Sequence, residues 1–254
     1  MKNDSMVAGS GRYGLCAGCN YFPDYVERES CQPGDACIRA HSGRQIDRFL
    51  RKNPGEAVLY LADIFWERRA IAARYSPVAR IAVLVKDPDE VVRRVVADRL
   101  PASDLAAMIH DPDREVRLSV AARLPEPRLT SLLQDPDYLV RATVARRLPH
   151  GKLMALASDP EREVRKVVAS RLPSFALDAL ACDKEPEVRA IVAERALPQL
   201  AGKLLADPEW WVRLAAVANA PLEALAALQD DPEIEIRDAA RERLAAASTE
   251  KAND

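Results

Sequence analysis

The 254-residue chain is poor in aromatic residues and in histidine, and its charges nearly cancel. Aromatic side chains make up 5 % of the sequence, there are 3 histidines, and 39 acidic residues face 37 basic ones. A balance this close to neutral provides no overall field that would steer the protein towards nucleic acid or an anionic membrane. Few aromatics, together with abundant Ala, Leu, Val and Arg, favour packed helices over sheets.

Long hydrophobic runs and a secretory leader are missing as well. No apolar stretch reaches about 18 residues, the length that spans a bilayer. The first residues, MKNDSMVAGSGRYG, lack the apolar core of a signal peptide. We therefore expect a cytoplasmic protein with no membrane partner, in which clustered cysteines bind metal rather than form disulfides.

Recognisable catalytic motifs are absent from the sequence. There is no Ser/His/Asp or Cys/His arrangement, no phosphate-binding loop and no dinucleotide fingerprint. The three histidines, His41, His110 and His150, are isolated from one another in the sequence. We expect no enzymatic activity and no small-molecule substrate.

The sequence does contain a repeat of 24 residues, which reads D-P-[DE]-x-x-V-R-x-x-V-A-x-R-L-P. It begins at Asp87 and returns at every 24-residue step, at Asp111, Asp135, Asp159, Asp183, Asp207 and Asp231. A degenerate earlier copy begins at Asp63. A period of this length indicates a stack of repeats that bury their apolar faces against their neighbours. We expect an all-α solenoid of about eight repeats over residues 56–244, after a cysteine-rich domain over 1–55 and before a polar tail over 245–254.

Each repeat carries the signals of one helix. Asp111 has the side chain of a good N-cap, and Pro112 suits the first helical position. Val116, Val120 and Leu124 are four residues apart and share one face. Because a residue that precedes proline is pushed out of the helical region, the Leu-Pro pair ends the helix after about 11 residues.

The rest of each repeat is too short for a second long helix. Leucines three residues apart, as at Leu129/Leu132 and Leu153/Leu156, suit one tight turn of 3₁₀ or short α-helix. Alternating α-helices and tight turns are therefore expected along the array.

Two rows of arginine recur with the repeat. One contains Arg93, Arg117, Arg141, Arg165, Arg189 and Arg213, and the other contains Arg99, Arg123, Arg147 and Arg171. They could form a basic stripe for phosphates, or pair with the equally regular acidic residues of the same or adjacent repeats. The neutral net charge favours pairing, so nucleic-acid binding is the weaker alternative.

Four of the five cysteines lie near the N-terminus with the spacing C-x2-C-x11-C-x5-C, at Cys16, Cys19, Cys31 and Cys37. Four thiolates in a reducing compartment indicate an iron–sulfur cluster or a tetrahedral metal site. Structural zinc commonly uses two C-x2-C pairs, whereas this chain has one. The uneven spacing favours [4Fe–4S], and zinc stays open. The fifth cysteine, Cys182, lies in an apolar segment and is expected to be buried.

The cysteine segment carries further features. Gly18 and Gly34 suit tight ligand loops, and together with Gly14 they would let backbone N–H groups approach the sulfurs closely. Four protein thiolates would leave no iron open to substrate. The following segment places four basic residues on roughly one helix face, at Arg44, Arg48, Arg51 and Lys52. They could dock an acidic redox partner, although a solvated linker helix is the simpler interpretation.

With its 24-residue D-P…V-R…V-A-x-R-L-P period and its preceding cysteines, the sequence resembles the leucine-rich repeat variant (LRV) proteins. The resemblance implies a right-handed superhelix of alternating α and 3₁₀ helices. It also implies a [4Fe–4S] cluster held by Cys16, Cys19, Cys31 and Cys37, and a connection with nitrogen-fixing bacteria. Lys184, which replaces the repeat proline, and the variant ending Asn219-Ala220-Pro221 depart from the pattern.

Three functions remain open at this point. The chain could be a redox-responsive scaffold that binds an unidentified protein, a scaffold with a purely structural cluster at its end, or an electron carrier.

Overall fold

A computed structural model describes residues 14–253, with side chains described to residue 249, and this part of the chain is helical. It has no β-strand, and one isolated antiparallel bridge joins Gln32 and Ala36. The N-terminal segment in which a secretory leader was sought falls mostly outside the described residues. The chain divides into two units that part after Pro125. The expected all-α class is confirmed.

The described part of the first unit contains α-helices and 3₁₀ helices, which alternate from Ala82 onwards. Its α-helices are α1 (Asp24–Glu27), α2 (Gly43–Lys52), α3 (Trp66–Tyr75), α4 (Val78–Ile81), α5 (Glu90–Arg99) and α6 (Arg114–Arg123). Its 3₁₀ helices are Gly14–Cys16, Pro54–Tyr60, Ala82–Lys86 and Leu105–Met108.

The second unit alternates the two kinds of helix up to Arg195, after which three further α-helices precede the last 3₁₀ helix. Its α-helices are α7 (Tyr138–Arg147), α8 (Arg162–Arg171), α9 (Pro186–Arg195), α10 (Pro198–Leu204), α11 (Trp210–Val217), α12 (Leu222–Leu225) and α13 (Ile234–Asn253). Its 3₁₀ helices are Glu126–Leu132, His150–Leu156, Ser174–Leu180 and Ala226–Asp230. The last helix extends through residues 245–253, where a polar tail is expected. No described helix is both long and apolar enough to cross a membrane.

The repeat helices begin later than expected, so the assignment of the repeat aspartate as N-cap is wrong. Helix α6 begins at Arg114, and its N-cap is Asp113, whose side chain accepts the N–H of Val116 at 3.0 Å. Asp111 instead accepts the N–H of Asp113 at 2.9 Å and precedes the helix. At the other end Leu124 is extended, as a residue before proline should be.

The apolar positions of the repeat form the core as expected. In the second unit Val164 and Val168 of α8 are fully buried, and Leu172 is 1 % exposed. Leu153 and Leu156 of the preceding 3₁₀ helix are also buried. The leucine pairs therefore anchor the tight turns, because they are the apolar side chains that this short segment turns inwards.

The arginines of the first row whose contacts are described below are paired with aspartates. For these residues the favoured interpretation, pairing rather than a basic stripe, is confirmed. Arg141 donates from Nε and Nη2 to the two carboxylate oxygens of Asp159, in the next repeat, at 2.7 and 2.8 Å. Its Nη1 donates to the carbonyls of Asp135 and Pro136, which precede its own helix. The same two-point pairing joins Arg69 to Asp87, Arg93 to Asp111, Arg165 to Asp183, Arg189 to Asp207 and Arg213 to Asp231.

Three arginines of the second row, Arg99, Arg123 and Arg171, bind the end of the preceding helix. Arg171 donates to the carbonyls of Ala145 and Leu148 at 2.6 and 2.7 Å. These carbonyls belong to the end of α7, where a helix leaves its acceptors unpaired. In the variant copy Asn219 takes the same position and donates to the carbonyl of Glu194 at 2.8 Å. The altered ending therefore keeps this contact between repeats.

Cys182 corrects another expectation, because it is exposed. The apolar segment before it is the 3₁₀ helix Ser174–Leu180, in which Leu177 and Leu180 occupy the buried positions. Cys182 follows on the turn, after the last inward-facing position.

Candidate metal centre

The four N-terminal cysteines all lie in the first unit, before α2. Cys16 ends a 3₁₀ helix, and the N–H of Cys19 donates to the Cys16 carbonyl at 3.0 Å. Gly18, between them, has a φ of 68°, a left-handed conformation that glycine adopts without strain. Cys31 follows α1 and Cys37 precedes α2. Three of the four cysteines are buried and Cys19 is half-buried.

The four thiols lie within electrostatic reach of one another. Burial, together with Cys37, Cys19 and Cys16, raises the pKa of the Cys31 thiol to about 11. Burial, Cys37 and Cys19 likewise raise the pKa of Cys16. Among the described residues, no three His, Cys, Asp or Glu side chains are gathered closely enough to hold a single metal ion. The structure therefore places the four cysteines that the sequence selects within electrostatic range of one another, but it does not gather three of them around a single metal ion.

A compact turn fixes the two later cysteines. The N–H of Cys31 donates to the carbonyl of Tyr25 at 2.8 Å, and its thiol donates to the carbonyl of Ala36 at 3.4 Å. Gln32 and Ala36 exchange both backbone hydrogen bonds, which closes the turn. Gly34 lies inside it with a φ of 83°. The expected need for glycine is confirmed at Gly18 and Gly34.

Helix α2 is joined directly to these loops. The N–H of Cys37 donates to the carbonyl of Gln45, in the first turn of α2, at 3.1 Å. The side chain of Gln45 donates to the carbonyl of Gly34 at 2.7 Å. Arg39 donates to the carbonyl of Ala17, between the first two cysteines, at 2.6 Å. Both cysteine pairs are therefore bound to one short stretch of chain.

The basic residues of α2 are mostly engaged. Three of the four are bound within the first unit: Arg48 to Asp35, Arg51 to Asp47, and Lys52 to the carbonyl of Glu29. The four basic residues therefore do not form a free surface on this helix. Arg44 is the one of the four that has no partner in the described part of the chain. The positive charge of Arg39 lowers the pKa of Cys16, and that of Lys52 lowers the pKa of Cys31, in both cases against the larger effect of burial.

A partly buried tyrosine network supports the cysteine segment. Tyr60 donates to the hydroxyl of Tyr21 at 3.0 Å, and Tyr21 and Tyr25 donate to the two carboxylate oxygens of Glu56 at 3.0 and 2.7 Å. Burial raises the pKa of Tyr60, and the nearby Cys19 adds to this rise. These residues follow no period, so the sole sequence signal is the pair of tyrosines between Cys19 and Cys31.

The donor set suits an iron–sulfur cluster. Four cysteine sulfurs are the usual ligands of such clusters, and here they are largely buried, near enough to interact electrostatically and carried by tight loops. Cationic side chains and backbone hydrogen bonds surround them, as is common around bound clusters. The same sulfurs could also satisfy zinc, so the ligand chemistry alone leaves the metal undecided.

Comparison with known proteins distinguishes the two metals. A family model described as "LRV protein FeS4 cluster" matches residues 10–58, and a model described as "Leucine rich repeat variant" matches residues 114–137. The cofactor of this N-terminal domain is therefore an iron–sulfur cluster. The assignment of the four individual ligands stays a prediction.

Two similar proteins cover different shares of the chain. A solved structure described as "a leucine-rich repeat variant with a novel repetitive protein structural motif" is 53 % identical, with a TM-score of 0.86. The match covers 90 % of this chain and 98 % of that one. A Rhodobacter capsulatus protein named "Uncharacterized 27.7 kDa protein in nifB 3'region" is 40 % identical over 85 residues. That match spans 34 % of this chain and 34 % of the relative's length.

Proposed function

Since the chain belongs to the leucine-rich repeat variant family, we propose that it is an iron–sulfur scaffold that binds a protein partner and responds to the redox state of its cluster. The observation that carries this proposal is the hydrogen bond from the N–H of Cys37 to Gln45 of α2. It joins a cluster-ligand loop to a helix that packs against the first repeat helix, α3. A structural change at the cysteines would therefore reach the repeats through few contacts.

In this proposal a [4Fe–4S] cluster is held by the thiolates of Cys16, Cys19, Cys31 and Cys37. When bound, such a cluster supplies one electron that can be gained and lost reversibly. The chain itself positions the thiols through the glycine-containing turns. Arg39 and Lys52 place positive charge beside them, which favours the ionised thiolates that bind iron. With no catalytic set of side chains in view, the role we propose is binding rather than catalysis.

The contact between α2 and α3 is polar as well as apolar. Asp47 of α2 accepts hydrogen bonds from Arg74 and Tyr75 of α3 at 3.0 and 2.9 Å. Ile46, Phe49 and Leu50 of α2 are fully buried. Movement of the ligand loop would therefore displace a helix that is tightly bound to the first repeat, which supports transmission to a bound partner.

The proposal is tested by capturing partners with the oxidised and the dithionite-reduced holoprotein under anaerobic conditions. A redox-responsive scaffold retains a different set or amount of protein in the two states. The apoprotein carrying Cys16→Ser and Cys19→Ser controls for cluster-independent capture. Identical capture by both redox states of the holoprotein contradicts the proposal.

The second candidate is a structural cluster that only protects the end of the array, and the packing of α2 on α3 favours it equally. Terminal repeats need such a cover, because one of their faces has no neighbour. In that case loss of the cluster unfolds the first repeats and leaves binding by later repeats intact, while reduction has no effect. A nucleic-acid partner loses support, because the described arginines of the first row are bound to aspartates.

The setting of the function is also a proposal. The name of the R. capsulatus relative refers to the nifB 3' region. This supports a role for the present chain beside nitrogen fixation, which we place in the cytoplasm. Measuring expression of the protein with and without fixed nitrogen tests the connection, and equal expression in both conditions contradicts it.

A further inference from the structure

The first unit carries a cleft of about 360 Å³ formed by α2, α3 and α5. We propose that this cleft docks an acidic segment of a protein partner that also bears apolar side chains. The inference rests on the proposed function, in which the repeats bind a protein, and it specifies where and by what chemistry.

The floor of the cleft is apolar. It includes Ile71 of α3 and Val91 and Val95 of α5, and Trp66 stands at its edge with 37 % of its surface exposed. Ile71 and Val95 are 24 residues apart, so equivalent positions of two successive repeats build the floor together. A half-exposed apolar floor with an aromatic rim provides the contact that an apolar anchor side chain needs.

The charged rim has two unneutralised cations. Arg44 of α2 and Arg94 of α5 line the cleft, are exposed, and have no hydrogen-bond or ion-pair partner in the described part of the chain. The third cation, Arg74, is held by Asp47. Arg44 and Arg94 therefore remain available to pair with carboxylates of an occupant.

The two acidic residues of the cleft do not cancel these cations. Asp47 already accepts from Arg51 and Tyr75 in addition to Arg74. Glu67 lies against the start of α2, so close that a Cβ on Gly43 would stand 2.9 Å from its Oε2. There the positive end of the helix dipole offsets its charge. The uncompensated charge of the cleft is positive.

This combination selects an acidic peptide over other anions. A phosphate backbone would use the two guanidinium groups but leave the apolar floor uncovered, whereas a protein segment can offer carboxylates and an apolar side chain at once. Arg44 also neighbours Gln45, whose carbonyl accepts the N–H of Cys37. An occupant would thus touch the turn of α2 that is bound to a cluster-ligand loop.

The test measures fluorescence anisotropy of labelled peptide pools with the anaerobic holoprotein. One pool combines Asp and Glu with Leu and Phe, a second replaces the acidic residues by Lys and Arg, and a third replaces the apolar residues by Gly and Ser. A labelled single-stranded DNA oligonucleotide represents nucleic acid. The cleft variant is Arg44→Gln/Arg94→Gln, and the matched control, Arg80→Gln/Arg146→Gln, removes two exposed arginines outside the cleft.

We expect the acidic, apolar pool to bind most tightly and to weaken as salt is added. The cleft variant should bind it at least about twofold and up to about thirtyfold more weakly, as the loss of two exposed ion pairs allows, and the control variant should lose less than about twofold. Equal losses in both variants, tighter binding of the basic pool or of the oligonucleotide, or no binding of the acidic pool would overturn the inference.

Repeating the measurement with oxidised and reduced protein separates this inference from the proposed function. Cleft-dependent binding that is equal in both redox states supports the docking site and contradicts redox response. Redox-dependent binding that the cleft variant does not weaken supports the proposed function and contradicts the docking site.

Discussion

Replacing Arg141 by methionine should destabilise the second unit far more than the loss of a surface ion pair. Arg141 is 8 % exposed and its partner Asp159 is 7 % exposed, so water contributes little to either charge. The guanidinium donates two hydrogen bonds to the carboxylate and two more to backbone carbonyls. Removing one member of a buried pair typically costs about 3–5 kcal/mol, against about 0–1 kcal/mol for an exposed pair.

Much of the cost comes from the partner that remains. After Arg141→Met, Asp159 would keep one recorded acceptor contact, the N–H of Glu161 at 2.9 Å, in a site with little solvent. The double variant Arg141→Met/Asp159→Asn removes the stranded charge. It should therefore lose less stability than the sum of the two single variants, by about 1–3 kcal/mol.

Urea unfolding of the holoprotein, followed by far-ultraviolet circular dichroism, measures these differences. Arg146→Met is the matched control, because Arg146 is an exposed arginine of the same helix, α7. If Arg141→Met costs no more than Arg146→Met, the arginine–aspartate pairs contribute no more than surface charges, and the reasoning fails. Additive single variants would equally refute the coupling.

Three further outcomes follow from the structure. The hydrogen bond from Arg213 holds the pKa of Asp231 below its usual range, although burial opposes this shift. The ion pair therefore stabilises the fold above about pH 4, and this stabilisation is lost as the pH falls through the folded-state pKa of Asp231. The unfolding free energy removed by Arg213→Met should therefore be largest at neutral pH and shrink below about pH 4, and a pH-independent loss would contradict this. Gly18→Ala forces alanine into a φ of 68°, which costs about 1 kcal/mol, and should speed the loss of iron to a chelator. Gly55→Ala is the control, because a Cβ at Gly55 meets open space and the backbone there has no positive φ. Equal rates of iron loss in the two variants would contradict the role of the Gly18 loop. In the native holoprotein Cys182 should be the one thiol that maleimide modifies within minutes, as intact mass shows, and rapid modification of a second cysteine would argue against cluster ligation.

The repeat could be predicted from the sequence because the same side chains return at every step. Val164, Val168 and Leu172 are buried on the face that their spacing indicates. The helix start was placed wrongly because both Asp111 and Asp113 have a suitable capping side chain. The folded structure shows that Asp111 is bound by Arg93 of the preceding repeat, which leaves Asp113 to cap the helix.

The sequence selects four candidate ligands, whose assignment stays a prediction, but it does not reveal the surroundings of the site. Cysteine spacing selects Cys16, Cys19, Cys31 and Cys37, since thiols have few other reasons to cluster in a reducing compartment. The supporting contact from Tyr21 to Glu56 joins residues 35 apart with no period between them. Such pairings depend on tertiary packing, which no local pattern encodes.

The central claim, that the four cysteines hold an iron–sulfur cluster, is tested most directly by metal and sulfide analysis. The protein would be purified anaerobically, alongside Cys→Ser variants at Cys16, Cys19, Cys31, Cys37 and Cys182. The account predicts about four irons and four acid-labile sulfides per chain in the wild-type protein and in Cys182→Ser, with both lost or strongly reduced in the other four variants. Stoichiometric zinc without sulfide, or an intact cluster in the four N-terminal variants, would contradict it.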